Sequence, residues 1–262
     1  MSVLSEDHAF APPALLPWKT VALVLVLVVG IIVLGTLAGF GASDAFDSWS
    51  RIDQPRAFAA GEVQALLTAR VAISLFAFQL VTILLVVVAS LALDRSGGPF
   101  LRFGMPSGGF RTLTLAALGL MVLAFAYGGF VFALDKSAFR QDINPFADLM
   151  KARSWWLVLI AAGIGAPIAE ECLFRGLLYG ALRRTPLGIA GAAAATAVMW
   201  ALLHANYSIY GLAAITLIGI YLALIRERTK TLLTPIVCHG AYNSLIVLIL
   251  AFAPNGSLVT GG

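Results

Sequence analysis

Seven runs of apolar residues follow one another along this chain of 262 residues, and each is about as long as a membrane is thick. A helix needs about 20 apolar residues to cross a hydrocarbon core of roughly 30 Å, and lipid offers the backbone no other hydrogen-bonding partner. The runs are Thr20–Ala42, Val71–Leu93, Leu113–Leu134, Trp156–Leu182, Leu187–His204, Ile209–Ile225 and Leu232–Phe252. They predict an all-α fold, a polytopic transmembrane helical bundle with about seven spans.

The composition also indicates an integral membrane protein, since 60% of the residues are hydrophobic and only 11% are charged. Soluble domains carry about 25% charged residues. The first run is too long for the apolar core of a secretory signal and follows an acidic segment, so we interpret it as a retained helix. The fifth and sixth runs are short and separated only by residues 205–208, which leaves a broken helix there as an alternative.

Basic residues in the connectors predict the orientation of the chain. With the N-terminus in the cytoplasm, the basic connectors of the second half lie inside, while the connector between runs five and six and the C-terminus carry none. These residues are Arg183, Arg184, Arg226, Arg228 and Lys230. Because the net charge of +4 is spread over short connectors, it indicates contact with membrane lipid and no nucleic-acid partner.

The runs divide the chain into a polar N-terminal segment (1–19), an N-terminal transmembrane region (20–155), a core that carries the motifs below (156–253) and a tail (254–262). Two connectors in the second region exceed simple turns. The first, 43–70, contains Asp44, Asp47, Asp53 and Glu62. The second, 135–154, is either an interfacial helix anchored by the following Trp155 and Trp156 or an ordinary polar loop.

The fourth run carries three charged side chains, which is costly in a membrane. Glu170, Glu171 and Arg175 together penalise this span by roughly 7–10 kcal/mol unless they pair or face water. Glu171 and Arg175 are four residues apart and share one helix face, which predicts an ion pair. Glu170 is rotated by about 100° from Glu171 and lacks a partner in its own helix, so it can act on a water or a substrate. The alternative is that both carboxylates only form structural ion pairs.

Two histidines and an amide lie in later runs. His204 follows Trp200 by four residues and His239 precedes Asn243 by four, so each pair projects from one helix face. A carboxylate base, imidazoles and an amide donor are the groups that amide hydrolysis needs, for water activation, proton delivery and oxyanion binding. Glu170 and the two histidines are also a ligand set for Zn²⁺ with an open position for water. The spacing leaves both mechanisms open.

Other hydrolytic motifs are absent from the sequence, which contains no H-E-x-x-H, no G-x-S-x-G and no Asp deep in an apolar run. The motifs E-E-x-x-x-R, aromatic-x-x-x-H and H-x-x-x-N follow in this order on successive apolar helices. Together they resemble the CPBP family, the CAAX-prenyl-protease and bacteriocin-processing (Abi) group of intramembrane endopeptidases, which is related to the type II CAAX prenyl endopeptidase. The resemblance covers about Trp156–Phe252, and residues 1–155 carry no recognisable motif.

The resemblance implies a role for each motif residue in a membrane-embedded, glutamate-dependent endopeptidase. Glu170 corresponds to the carboxylate that activates water, and Glu171 and Arg175 correspond to the rest of the first motif. The groups that polarise water and bind the oxyanion correspond to His204, His239 and Asn243. Trp200 stands where the family usually has Phe, which keeps an aromatic wall and bears on the shape of the substrate pocket.

The resemblance implies a protein or peptide substrate but leaves its identity open. CAAX-type prenylated proteins are one class, whereas the short loops are similar to bacterial members that process a peptide precursor, a bacteriocin or a membrane-anchored regulator. The latter indicates a bacterial plasma membrane. Two other functions are a non-catalytic scaffold or bacteriocin-immunity protein, and a proton-coupled transporter that uses Glu170 and the histidines as a relay. Every motif position is filled, which disfavours the scaffold or immunity protein. The sequence shows no internal repeat, which disfavours the transporter.

We expect the site to work without a metal or another cofactor. Histidines that bind catalytic zinc normally bond to acceptors that fix their tautomer, and the nearby Glu171 is already matched to Arg175. His204 and His239 also lie on different helices, so no H-x-x-x-H pair preforms a metal site. Zinc held by Glu170, His204 and His239 is the alternative.

Overall fold

The computed structural model describes residues 16–50, 59–94 and 100–252, and every regular element in these ranges is a helix. In chain order the helices are α1 (Trp18–Ser50), α2 (Ala60–Leu93), α3 (Gly109–Leu134), α4 (Lys136–Met150), α5 (Trp155–Leu182), α6 (Gly188–Leu202), α7 (Ile209–Thr229) and α8 (Leu233–Phe252). The predicted all-α bundle is confirmed. Asp53, most of the polar N-terminal segment and the predicted tail lie outside the described residues.

Six of these helices are long and apolar enough to cross a membrane, namely all except α4 and α6. The fifth predicted run forms α6, whose 15 residues reach about 22 Å and fall short of a hydrocarbon core of roughly 30 Å. A break follows it, because a turn segment carries His204 before α7 begins at Ile209. The described part of this polytopic membrane protein therefore contains six candidate spans and one shorter apolar helix.

Both long connectors of the N-terminal region are largely helical in the described residues, and for 135–154 this favours the helix over the polar loop. Helices α1 and α2 extend into the range 43–70, where Asp47 pairs with Arg70 at 2.8 Å. The range 135–154 forms the amphipathic helix α4, which Asp135 caps by accepting hydrogen bonds from the backbone N of Ser137 and Ala138. The hydrogen bond from the Ser137 side chain, together with that from Ala138, holds the pKa of Asp135 below its usual range.

Helix α5 lies at the centre of the bundle, where it contacts α1, α2, α4, α6, α7 and α8. It contains two π-helical segments, Ala161–Gly165 and Glu171–Leu178. Pro167 explains the first segment, because it has no N–H to donate to the preceding turn and its ring displaces the carbonyl there. The second segment carries Glu171 and Arg175.

Side chains from two other helices stabilise the first π segment. In the π register the N–H of residue 167 would bond to Ala162 O, and Asn243 of α8 donates to that oxygen instead, at 2.9 Å. Gln79 of α2 donates to the neighbouring Ala161 O at 3.0 Å. The amide of Gln79 also occupies the space beside Gly165, where a Cβ atom would lie 1.9 Å from its oxygen. The segment that precedes Glu170 is therefore held from both sides.

Candidate active site

The second π segment of α5 carries a fully buried ion network. Glu171 and Arg175 have no exposed surface, and Arg175 Nη1 donates to Glu171 Oε1 at 2.9 Å, so the predicted pair is present. His239 of α8 contacts the same carboxylate oxygen through Nδ1, also at 2.9 Å. Because an ionised carboxylate only accepts hydrogen bonds, Nδ1 carries the proton and Nε2 keeps a lone pair in the neutral ring.

Arg175 is held on three sides. Besides its bond to Glu171, its Nη2 donates to Gly219 O of α7 at 3.2 Å. Its Cζ lies 4.5 Å from the ring centroid of Trp200 on α6, a distance at which a cation is attracted to an indole face. The network therefore joins α5 to α6, α7 and α8.

Glu170 binds outside this network, as its rotation on the helix predicts. Its partner comes from α6, where Trp200 Nε1 donates to Glu170 Oε2 at 2.6 Å. The indole also meets the rings of His204 and His239 edge-on, with centroids 5.5 and 5.4 Å away. Trp200, for which the sequence indicates an aromatic wall, thus contacts both carboxylate centres of the site, one directly and the other through Arg175.

A cavity of about 140 Å³ adjoins Glu170 and His204. His204 lies in the turn after α6, with its Nδ1 3.1 Å from the carbonyl oxygen of Trp200. A carbonyl can only accept, so Nδ1 is the protonated nitrogen and Nε2 keeps the lone pair. The remaining lining residues are Phe78, Thr82, Leu173, Phe174 and Leu203. A carboxylate and an imidazole therefore meet in a small, mostly apolar space.

Asn243 binds the first π segment of α5. Its amide nitrogen donates to Ala162 O in the first π segment, two helical turns before Glu170. One of its two N–H groups is thus used in the fold, and the second is left for another acceptor. Its role in binding an oxyanion stays a prediction.

Helix α2 contributes residues that the motifs do not indicate. Phe78 and Thr82 line the cavity, and Gln79, which is 4% exposed, binds the first π segment. Gln79 carries a usable signal in the sequence, because a polar side chain within an apolar run is costly there and marks a special contact. Phe78 carries none, since one Phe among many apolar residues forms no pattern.

The surroundings of the two histidines bear on the metal question. Both Nδ1 atoms have acceptors, as in metal-bound histidines, and Glu171 serves Arg175 and His239 at once. Glu171 is thus matched to Arg175 as expected, and this pairing does not prevent it from accepting a hydrogen bond from His239 as well. However, no group of three His, Cys, Asp or Glu side chains in the described part of the chain is placed to hold a metal ion. A site that works without a metal stays a prediction, and the steps below use only protein groups.

Comparison with known proteins gives two matches. Residues 152–245 match the family model described as "Type II CAAX prenyl endopeptidase Rce1-like", a range that contains every predicted site residue. The chain is also 29% identical over 146 residues to the protein of Bacillus subtilis (strain 168) named "Putative membrane peptidase YdiL". That match covers 51% of this chain and 58% of the relative, so the chain spans little more than half of the relative's length. No solved structure matches the chain.

Proposed function

We propose that this chain, whose residues 152–245 match the family model described as "Type II CAAX prenyl endopeptidase Rce1-like", hydrolyses peptide bonds of membrane-associated proteins or peptides. The observation that carries the proposal is the cavity that Glu170 and His204 share within the helical bundle. Ionisable groups in this position mark functional sites in membrane proteins. The name of the bacterial relative, which calls it a membrane peptidase, supports the same class of activity.

In the proposed reaction Glu170 acts as the general base. Its carboxylate takes a proton from water, and the resulting hydroxide attacks the carbonyl carbon of the peptide bond. Trp200 holds Oε2, so Oε1 is the oxygen that accepts the proton. When the C–N bond breaks, the leaving amine must gain a proton. Glu170 returns it directly, or His204 carries it through Nε2.

The negative charge that develops on the carbonyl oxygen needs hydrogen-bond donors. His204 donates from Nε2 only after it has gained a proton, because its Nδ1 already faces Trp200 O. Asn243 donates through the N–H that does not bind Ala162. Glu171 and Arg175 support these groups by fixing α5 against the helices that carry them.

The proposal also covers the class of substrate and the membrane in which the protein lies. We expect a CAAX-like protein, a peptide precursor or a bacteriocin as substrate, with or without a lipid modification. We also expect the protein to lie in a bacterial plasma membrane with its N-terminus in the cytoplasm. Arg183 and Lys230, which belong to the predicted cytoplasmic side, both pair with Glu227, as expected of residues at one end of the bundle.

Cleavage of defined peptides by the purified full chain tests the proposal. The chain is reconstituted in liposomes with a library of hydrophobic peptides, and mass spectrometry identifies the new termini. Glu170→Gln should lower the rate at least 100-fold, because a general base contributes about 10²–10⁴-fold. Glu62→Gln, the same change at the exposed start of α2, serves as the matched control and should cleave like wild type. A Glu170→Gln rate above about one hundredth of wild type would remove Glu170 from the base role.

A further inference from the structure

The cavity beside Glu170 and His204 draws its walls from three parts of the chain. Helix α5 and the turn after α6 supply the groups that the proposed reaction uses, together with apolar neighbours. The third wall comes from α2, through Phe78 and Thr82. Helix α2 lies outside residues 152–245, so this wall belongs to the part of the chain that the family match does not cover.

Packing against α1 holds this wall in place. Phe78 and Thr82 are four residues apart and share one face of α2. Helix α1 meets this face at the buried Gly35, where a Cβ atom would lie 3.0 Å from Phe78 Cδ2 and 2.9 Å from Thr82 Oγ1. These distances leave the Phe78 ring no room to withdraw towards α1. The position of the wall is therefore set by how closely α1 and α2 approach.

The size and chemistry of the cavity limit what it can receive. Its volume of about 140 Å³ is close to that of an engineered cavity of about 150 Å³ that binds benzene. It can therefore hold one medium-sized apolar side chain, whereas a prenyl chain is several times larger than benzene and must lie elsewhere. A charged side chain would be desolvated there, and an acidic one would also face Glu170.

We propose that Phe78 and Thr82 form the size-limiting wall of a substrate pocket that receives one apolar side chain next to the scissile bond. The inference rests on the proposed function, because a base role for Glu170 is what brings the scissile bond beside this cavity. The preferred substrates are then peptides with an uncharged side chain of moderate size at this position. Larger side chains are excluded by α2, charged ones are disfavoured by the cost of desolvation, and an acidic one is also repelled by Glu170.

Phe78→Ala tests the wall by enlarging the pocket. Wild type and variant in liposomes receive peptides of one cleaved sequence that differ only beside the scissile bond, where they carry Ala, Val, Leu, Phe, Trp, Glu or Lys. One methylene changes kcat/KM by about 10–200-fold in such pockets, so wild type should disfavour Trp and both charged residues at least tenfold. In Phe78→Ala the Trp-to-Leu ratio of kcat/KM should rise at least tenfold. Phe40→Ala, which removes a 62% exposed phenyl ring from α1, should keep the wild-type ratio.

Gly35→Ala should narrow the pocket instead of enlarging it. Its added methyl group presses on Phe78 and Thr82, so kcat/KM for the Ala peptide should rise relative to kcat/KM for the Leu peptide. Detergent melts establish that each variant is folded, and Phe78→Leu replaces Phe78→Ala if the latter unfolds, with the same direction of change.

The outcomes test the substrate pocket separately from the base role of Glu170. Ratios that are unchanged in the Phe78 variant, or an equal loss for every peptide, would overturn the pocket and leave the base role of Glu170 intact. The ratios are measured on cleavage that Glu170→Gln slows at least 100-fold. Cleavage that this variant slows less would remove Glu170 from the base role, and the inference would fail with it.

Discussion

Replacing Arg175 by Ala should destabilise the protein by about 3–5 kcal/mol. The buried guanidinium contacts Glu171, Gly219 O and the ring of Trp200, and all three contacts are lost. The Glu171 carboxylate then stays in the core with His239 bound to one oxygen, while its other oxygen has no hydrogen-bond partner in the described part of the chain. Removal of one member of a buried pair costs about 3–5 kcal/mol because the remaining charge is uncompensated. The smaller contacts fall within this range, since neighbouring contributions do not add.

Thermal unfolding in detergent measures this loss. A change of 1 kcal/mol shifts the melting temperature of a chain of this size by about 2–4 °C, so Arg175→Ala should melt roughly 6–20 °C below wild type. The double variant Glu171→Gln/Arg175→Met removes both charges and keeps an acceptor for His239. This double variant should recover most of the stability that Arg175→Ala loses. In proteins generally, a whole buried ion pair can be replaced by uncharged side chains of similar size at little cost in the free energy of unfolding.

Two results would refute this reasoning. The first is a melting temperature of Arg175→Ala within about 2 °C of wild type, which would mean that Glu171 needs no cation beside it. The second is a double variant that is no more stable than Arg175→Ala, which would mean that the lost contacts, rather than the unpaired charge, carry the effect.

His204→Ala should lower kcat by roughly 10²–10³ with little change in KM or melting temperature, as measured by steady-state kinetics on a cleaved peptide. Asn243→Ala should lower kcat to a similar extent and also the melting temperature, because Ala162 O loses its donor; an unchanged melt would contradict the second part. Trp200→Phe keeps an aromatic ring but removes the hydrogen bond to Glu170, which is worth about 1.5–3 kcal/mol, so the melting temperature should fall by roughly 3–12 °C. Chelation should leave cleavage unchanged; stoichiometric zinc that is lost with activity and restores it on re-addition would make Glu170 and the histidines ligands.

Features that depend on one helix alone were predictable from the sequence. The spacing of Glu171 and Arg175 predicts their pairing, and the rotation of Glu170 predicts a different partner, because helix geometry fixes both. Contacts between helices were not predictable in this way. Trp200 lies 30 residues from Glu170, and the register that brings its indole N–H to the carboxylate is set by the packing of α5 against α6.

The ends and irregularities of the helices were the other part that the sequence did not reveal. Apolar runs mark the portion of a helix suited to lipid, whereas α1 and α2 continue through polar residues such as Asp47 and Arg70, which pair with each other. Pro167 indicates a disturbed helix. That the disturbance is a π turn follows only from the distant amides of Gln79 and Asn243, which bind its carbonyls.

The first π segment of α5 sets the direction in which the Glu170 side chain points. A π turn contains one residue more than an α turn, and each helical residue is rotated by about 100° from the next. If the same five residues of Ala161–Gly165 were wound as a regular α-helix, the following part of α5 would be rotated by roughly one such step. Glu170 would then face away from Trp200. The direction of the Glu170 carboxylate therefore depends on the π turn, and with it on the amides of Gln79 and Asn243 that bind its carbonyls.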